Sequence, residues 1–366
     1  LRFHTIISIL KIRVSDGFRL AKGAVPGIIL ILSLAAPFLF HYFLLMTHLF
    51  RRILFYALIL TGLICLLSSG KYTSSAESVS GPEGYRDAVP YMGQFLAVGS
   101  GGRIDLIDAS GARVKTFKEH RGDLNCAAVW EHLAIVAGEG GLVLLTSDGE
   151  IFDKSETGTD KAINGIAARR DMIVAGADGG TLLVSVNSKS WNIIEPGVRG
   201  NIVSVAAGAS MFIAVTDEGE IIKSDDGLSW KVTDYNKEYS GFYKPCMFHE
   251  VLAAGSNIVI CGKHSDGSPA VITSTLGNVW TERLLNFRDD HGNIGFLTNC
   301  PNSVAYDQQR DQYIMACDKG EIFSLPSCTK CNASAIISGD DLHAIACLDD
   351  ILFCGGEAFS VNVIRF

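Results

Sequence analysis

Residues 224–230 read Ser-Asp-Asp-Gly-Leu-Ser-Trp, directly after a run of apolar residues. Two acids followed by Gly suit a tight turn, and they equally suit a calcium loop or acid–base chemistry. The relatives of this heptapeptide decide among these. Thr146-Ser-Asp148-Gly149-Glu-Ile-Phe152, Ser185-Val-Asn187-Ser-Lys-Ser-Trp191 and Ser274-Thr-Leu-Gly277-Asn-Val-Trp280 stand in the same seven-residue frame. A motif that recurs along a chain marks an architectural repeat.

Upstream of the copies, apolar runs end in small residues at Gly99, Gly138, Gly176, Thr216, Gly262, Cys317 and Gly355, at intervals of 39, 38, 40, 46, 55 and 38 residues. Further upstream lie apolar-Ala pairs: Ile166-Ala167, Val205-Ala206, Leu252-Ala253, Val304-Ala305 and Ile345-Ala346. The segments are short, rich in Ile and Val, and bounded by Gly, Asp, Asn and Ser, so they read as strands. Four strands in about 40 residues is the period of a propeller blade. The fold expected is therefore all-β, a seven-bladed β-propeller of four-stranded antiparallel blades. Ala and Gly on the innermost strands fit seven strands converging on one axis. The last unit stops at its third strand, so a strand from about residues 71–92 is expected to complete it.

The units resemble Asp-box repeats of the bacterial neuraminidase type, with Ser224, Asp226, Gly227 and Trp230 forming the best copy and Ser274, Gly277 and Trp280 a copy lacking the Asp. The resemblance implies a hairpin between the third and fourth strands in which Ser and Asp hold the turn and the aromatic residue packs into the blade. In blade length and strand wording the chain is similar to the photosystem II assembly and stability factor family, which implies a non-catalytic binding propeller. Sialidases are the enzymatic alternative, but their Arg-Ile-Pro signature is absent. A generic glycosidase needs two carboxylates about 5 to 9.5 Å apart, and the ring of residues three positions before the Ala offers only Glu250. The other ring positions are Asn125, Asn164, Val203, Asn302 and His343.

Cys328 and Cys331 replace the turn residues of the sixth unit, as a short disulfide loop, reduced structural thiols, or a metal or redox pair. The remaining cysteines noted, Cys126, Cys261, Cys317, Cys347 and Cys354, fall in strands, where a thiol acts as a small apolar group.

Residues 23–50 lack Asp, Glu, Lys and Arg, and Arg51-Arg52 precedes a second apolar run at 53–67. Three regions follow: an extension over 1–45, a signal peptide or membrane anchor over 46–76, and the propeller over 77–366. Either topology places the propeller outside the cytoplasm, secreted or membrane-anchored. Residues 1–84 carry eight Lys or Arg against three Asp or Glu, so the whole-chain charge of −8 leaves −13 for 85–366. An acidic domain without a basic stripe is unsuited to nucleic acid.

Strand direction sends three insertions, 234–247, 263–269 and 286–301, to one end of the blades. They present Tyr235, Tyr239, Phe242, Tyr243, His264, Asp266, Arg288, Asp289, Asp290 and His291. With Glu250 these form the candidate rim for a protein or glycan partner, against the alternative of loops that are merely solvated. Asp289-Asp290-His291 resembles part of a metal cluster, but no metal site or cofactor is assigned.

Overall fold

Runs such as Phe95-Leu-Ala-Val98 are apolar at every position, which a strand requires when both its faces are covered. In the computed structural model, which describes residues 83–366 except 119, 240–243, 289–292 and 327–332, these runs are the second strands of seven sheets. All described residues fall in the unit Val79–Phe366, separate from Leu1–Ser78. The blades span 85–117, 124–155, 163–194, 202–234, 246–282, 301–336 and 342–365, each an antiparallel meander. The first strand of every blade lies against the first strand of the next, and that of blade 7 against that of blade 1. The chain is a closed seven-bladed propeller. Its core is divided into seven apolar clusters, each between two neighbouring blades.

Pairing with the first strand refines the repeat. Residues 99, 138, 177, 216, 262, 317 and 356 of the second strands occupy one register position. The spacing is 39 residues except for 46 and 55 around blade 5, where the insertions lie. Small residues recur here because the first strand crosses close by: a Cβ on Gly138 would stand 2.0 Å from the Asp123 carbonyl oxygen, and one on Gly99 would stand 2.1 Å from that of Gly84.

The 224–230 motif is the turn between the third and fourth strands of blade 4. Asp226 Oδ1 accepts from the Leu228 and Ser229 amides at 2.8 and 2.7 Å, and Ser224 Oγ accepts from Gly227 N at 2.8 Å. Those amide contacts hold the Asp226 carboxyl well below the usual range. Gly227 has φ 74°, and a Cβ there would meet Met172 Sδ at 2.3 Å. Trp230 packs against the cluster between blades 3 and 4. Asp148 and Asn187 make the same amide contacts in their own turns. In blade 5, Leu276 stands at the Asp position, and Lys223 of blade 4 donates to the Leu276 carbonyl at 2.8 Å. Trp280 is buried between blades 4 and 5.

Of the 71–92 segment expected to supply a closing strand, residues 71–82 lie outside the described residues, residues 85–91 form the innermost strand of blade 1, and blade 7 has three strands among the described residues. Among the described residues the seam between blades 7 and 1 is closed by backbone contacts, Gly84 bridging Glu357 and Ala358 N donating to Glu83 O at 2.7 Å. Beside them Tyr85 packs edge-on against Phe353 and Phe359, and Phe95 stacks on Phe353. Asp105, fully buried, accepts from Tyr85 Oη, from Arg103 at 2.7 Å and from Thr116 at 2.6 Å. Arg113 bridges Tyr85 to the Phe359 carbonyl.

Two stability outcomes follow. Asp226→Asn is expected to keep the turn, as Asn187 does, while Asp226→Ala lowers the melting midpoint without altering ligand binding. Because the Asp226 carboxyl is depressed in the fold, its contribution is present above the unfolded pKa and lost as pH falls, so the Asn variant should resist acid better. Asp105→Ala strands two arginines at the seam and should cost about 3 kcal/mol in urea unfolding; a loss no larger than that of a surface substitution would show the seam does not depend on it.

Candidate functional site

Each of the seven first strands carries a bulge near its start, seen as a skipped register between the first and third residues in six blades and between Phe248 and Glu250, the third and fifth residues, in blade 5. A bulge re-aims side chains, here toward the axis. The bulged residues are Arg86, Asn125, Asn164, Val203, His249, Asn302 and His343, and all seven line a cavity of about 520 Å³ at the axial mouth. Five of these were placed by the apolar-Ala spacing. In blade 5 the spacing misleads by one residue, because Leu252, not Ala253, pairs at the position of Ala206. His249 therefore holds the ring position and Glu250 the next one down, beside the equivalent Asp87, Cys126 and Ser204. Arg86, Asp87, Asp123, Glu139 and His249 were not anticipated. In blade 1 the order Ala88-Val89 reverses the apolar-Ala signal, and only that inversion, read against the Gly99 landmark, could have flagged the strand.

The ring residues tie blade to blade. Asn125 Nδ2 donates to the Ile163 carbonyl at 3.0 Å, Asn164 to that of Ile202 at 3.2 Å, and Asn302 to that of Leu342 at 3.1 Å. His249 Nδ1 lies 3.0 Å from the Pro301 carbonyl. Burial lowers the His249 pKa, so the ring is neutral at pH 7 and its Nδ1 carries the donated proton. Arg86 reaches Asp123 at 2.5 Å, and Asp123 Oδ1 accepts from Gly101 N at 2.8 Å.

One layer deeper, side chains accept from amides of the following blade. Asp87 accepts from Ala127 N at 2.8 Å, Ser204 Oγ from Val251 N at 3.2 Å, and Glu250 Oε2 from Val304 N at 2.9 Å. Burial raises Asp87 from 3.8 to about 7. It raises Glu250 from 4.5 to about 8, with the Asp87 charge adding to the effect. The mouth thus offers amide, imidazole, guanidinium and carboxyl groups, with its two deepest carboxyls fixed by backbone amides. Among the described residues no group of three or more His, Cys, Asp or Glu is arranged to hold a metal.

The insertions are arranged differently from the mouth. Tyr235, on the four-residue helix Tyr235–Glu238, is buried between blades 4 and 5. Tyr239 stacks on it at 4.7 Å, and its hydroxyl accepts from Trp280 N at 3.3 Å. His264 is buried with Nδ1 3.3 Å from Cys246 Sγ and Nε2 2.9 Å from Glu282. Burial pushes the Cys246 thiol up to about 12, so it is a protonated packing group rather than a nucleophile. Asp266 is exposed, pairs with Lys244 and closes its own turn through Ser268. Arg288 lies in a hairpin strand, Asn286–Arg288, paired with Ile294–Phe296. Tyr243, Asp289 and His291, with Phe242 and Asp290, lie outside the described residues, as do Cys328 and Cys331. The seven described cysteines are free. No described helix is long and apolar enough to cross a membrane.

No protein-family model matches the chain, and no curated protein matches it. Solved structures do. The computationally designed Ika8 protein superposes with a TM-score of 0.56 at 12% identity, over 79% of this chain and 98% of its own. The WD40 β-propeller domain of Doa1 gives 0.58 at 10% identity, over 77% and 93%. At such identities the likeness is one of fold.

The two raised carboxyls make stability depend on pH with a definite sign. In the fold they keep protons that the unfolded chain has released, so stability should fall as pH rises between about 4 and 8 and level off above. Glu250→Gln, which preserves the acceptor to Val304 N, should flatten that slope in urea titrations across the range. An unchanged slope would place the titration elsewhere.

Proposed function

We propose that this propeller is a non-catalytic binding module that receives a protein or glycan partner at the axial mouth and the insertions around it. The observation carrying this is the cavity of about 520 Å³ ringed by Arg86, three Asn and two His. Such a ring offers donors and acceptors in every direction, while its deeper carboxyls hold blades together rather than standing free for chemistry. Val203 adds an apolar position within the ring. A propeller carries such a face on a rigid scaffold. The apolar segments at 23–50 and 53–67 support export, with the propeller acting extracytoplasmically, either secreted or anchored.

The Asp-box resemblance, carried by the turn at 224–230, and the photosystem II factor resemblance, carried by blade length and strand wording, support the same reading. Glycoside hydrolysis is the second reading, because Asp87 and Glu250 share one cavity and have pKa values near neutrality. It asks both groups to leave the amides they accept from, which disfavours it.

Capture from the native envelope fraction and a glycan array, run with the wild-type chain and with Asn302→Ala and His343→Ala, tests the proposal. One partner should be retained by the wild type and weakened at least about tenfold, near 1.4 kcal/mol, by the mouth variants at a temperature where circular dichroism shows them folded. Retention of every partner by folded mouth variants would refute the site. Hydrolysis of a sialoside or plant glycan, abolished by Glu250→Gln, would replace binding by catalysis.

A further inference from the structure

Most of the hydrogen-bond donors in the axial mouth are already spent on the protein. Asn125 and Asn302 give their amide nitrogens to strand carbonyls of the next blade, and also to Asn164 Oδ1 and Asp318 Oδ1 at 3.2 and 2.8 Å respectively. Each keeps a side-chain carbonyl oxygen with no partner among the described residues. The His249 ring donates from Nδ1 to Pro301 and is neutral, so its Nε2 presents a lone pair. What these three residues have left for a ligand are acceptors.

Charge agrees with that inventory. The cavity is lined by Asp87, Asp123, Glu139 and Glu250 against Arg86, whose guanidinium Asp123 holds at 2.5 Å. Arg86 Nε is a buried donor without a partner, but it stands against the acceptors of two asparagines, one histidine and four carboxyls. Asp87 and Glu250 form the floor, reaching it from blades 1 and 5. Their oxygens accept the amides of Ala88, Ala127 and Val304, and each such oxygen has a second lone pair. Burial, with no cation beside them to offset it, is what raises the two carboxyls to about 7 and about 8. A cation placed on them would reverse that shift.

We propose that the mouth recognises a cationic side chain, a guanidinium or ammonium group on an exposed basic segment of a partner protein, with its head on Asp87 and Glu250 and its remaining donors on Asn125, Asn302 and His249. A multi-donor cation satisfies several acceptors at once, whereas an anion would face four carboxyls. The inference rests on the mouth being the binding site proposed above and narrows its partner to one class. Occupation expels the protons of the floor, so affinity rises with pH through about 7 to about 8 and levels off above. The other titratable groups there are Arg86, Asp123, Glu139, His249 and His343 in the mouth, and Cys126 and Cys261 beside the carboxyls, thiols that burial keeps protonated across that range.

The test titrates the full-length chain with acetyl-Gly-Arg-Gly-amide, the lysine peptide of the same frame and the neutral citrulline peptide, by calorimetry at pH 7 in two buffers of different ionisation enthalpy. One-to-one binding of a cationic peptide at millimolar or tighter Kd is expected. The citrulline peptide should bind at least about tenfold more weakly, and about one proton should leave per cation bound. The tighter of the two cations identifies the head group. Glu250→Gln and Asp87→Asn keep the acceptors for Val304 and Ala127 while removing charge. Each variant, shown folded by circular dichroism, should bind the cation at least about tenfold more weakly and release fewer protons. Equal binding of the citrulline peptide, no binding at millimolar cation, binding without proton release, or full affinity in either folded variant would overturn the inference. If Asn302→Ala and His343→Ala weaken a captured partner while no cation binds, the mouth stands as the binding site and the cationic class is what fails.

Discussion

Seven strands meeting around one axis each present an inner edge that no further strand can pair. Unpaired backbone amides in a crowded interior are costly, and the propeller answers with side chains from the preceding blade. Asp87, Ser204 and Glu250 accept amides of the blade that follows. Asn125, Asn164 and Asn302 cap carbonyls in the same sense around the ring. The bulge at the head of each first strand makes this possible by turning two successive side chains inward. Everything at the axial mouth, including its acidity and its polarity, begins as a solution to this edge problem.

That origin shapes how the mouth can work. A carboxyl that accepts an amide is oriented and desolvated at once, which fixes its position and raises its pKa together. Asp87 and Glu250 are therefore fixed parts of the floor, while Arg86, the asparagines and the two histidines form the layer above it, the one a partner would meet first under the proposed binding role. Rigidity of this kind lowers the ordering cost of recognition.

Much of the fold is legible in residues 224–230 and their copies, because a turn is a local device and its Ser, Asp and Gly are all needed within one heptapeptide. The small residues at 99, 138 and 262 are legible for a similar reason, since a Cβ would strike the carbonyl of the first strand. The site is less legible. A bulge adds one residue without changing composition, and one residue is enough to exchange His249 for Glu250 at the ring. Tyr235 and His264 look like recognition residues in sequence, yet they fill the contact between blades 4 and 5 and tie the strands of blade 5 together. Aromatic or polar character in an insertion does not say which way the side chain turns; the packing it must complete does.

The seam at Gly84 and Glu357 has a consequence in time. Every other blade contact joins blades that are neighbours in the sequence, whereas this one joins the first blade to the last. During synthesis blade 1 emerges early, with Phe95, Ala97 and Ile107 ready to pack, but Phe353 appears more than 200 residues later. At ribosomal speeds of about 5–20 residues per second, that is a wait of some tens of seconds. The nascent chain is thus a growing open arc with an apolar surface at each end, and closure is the step that removes both.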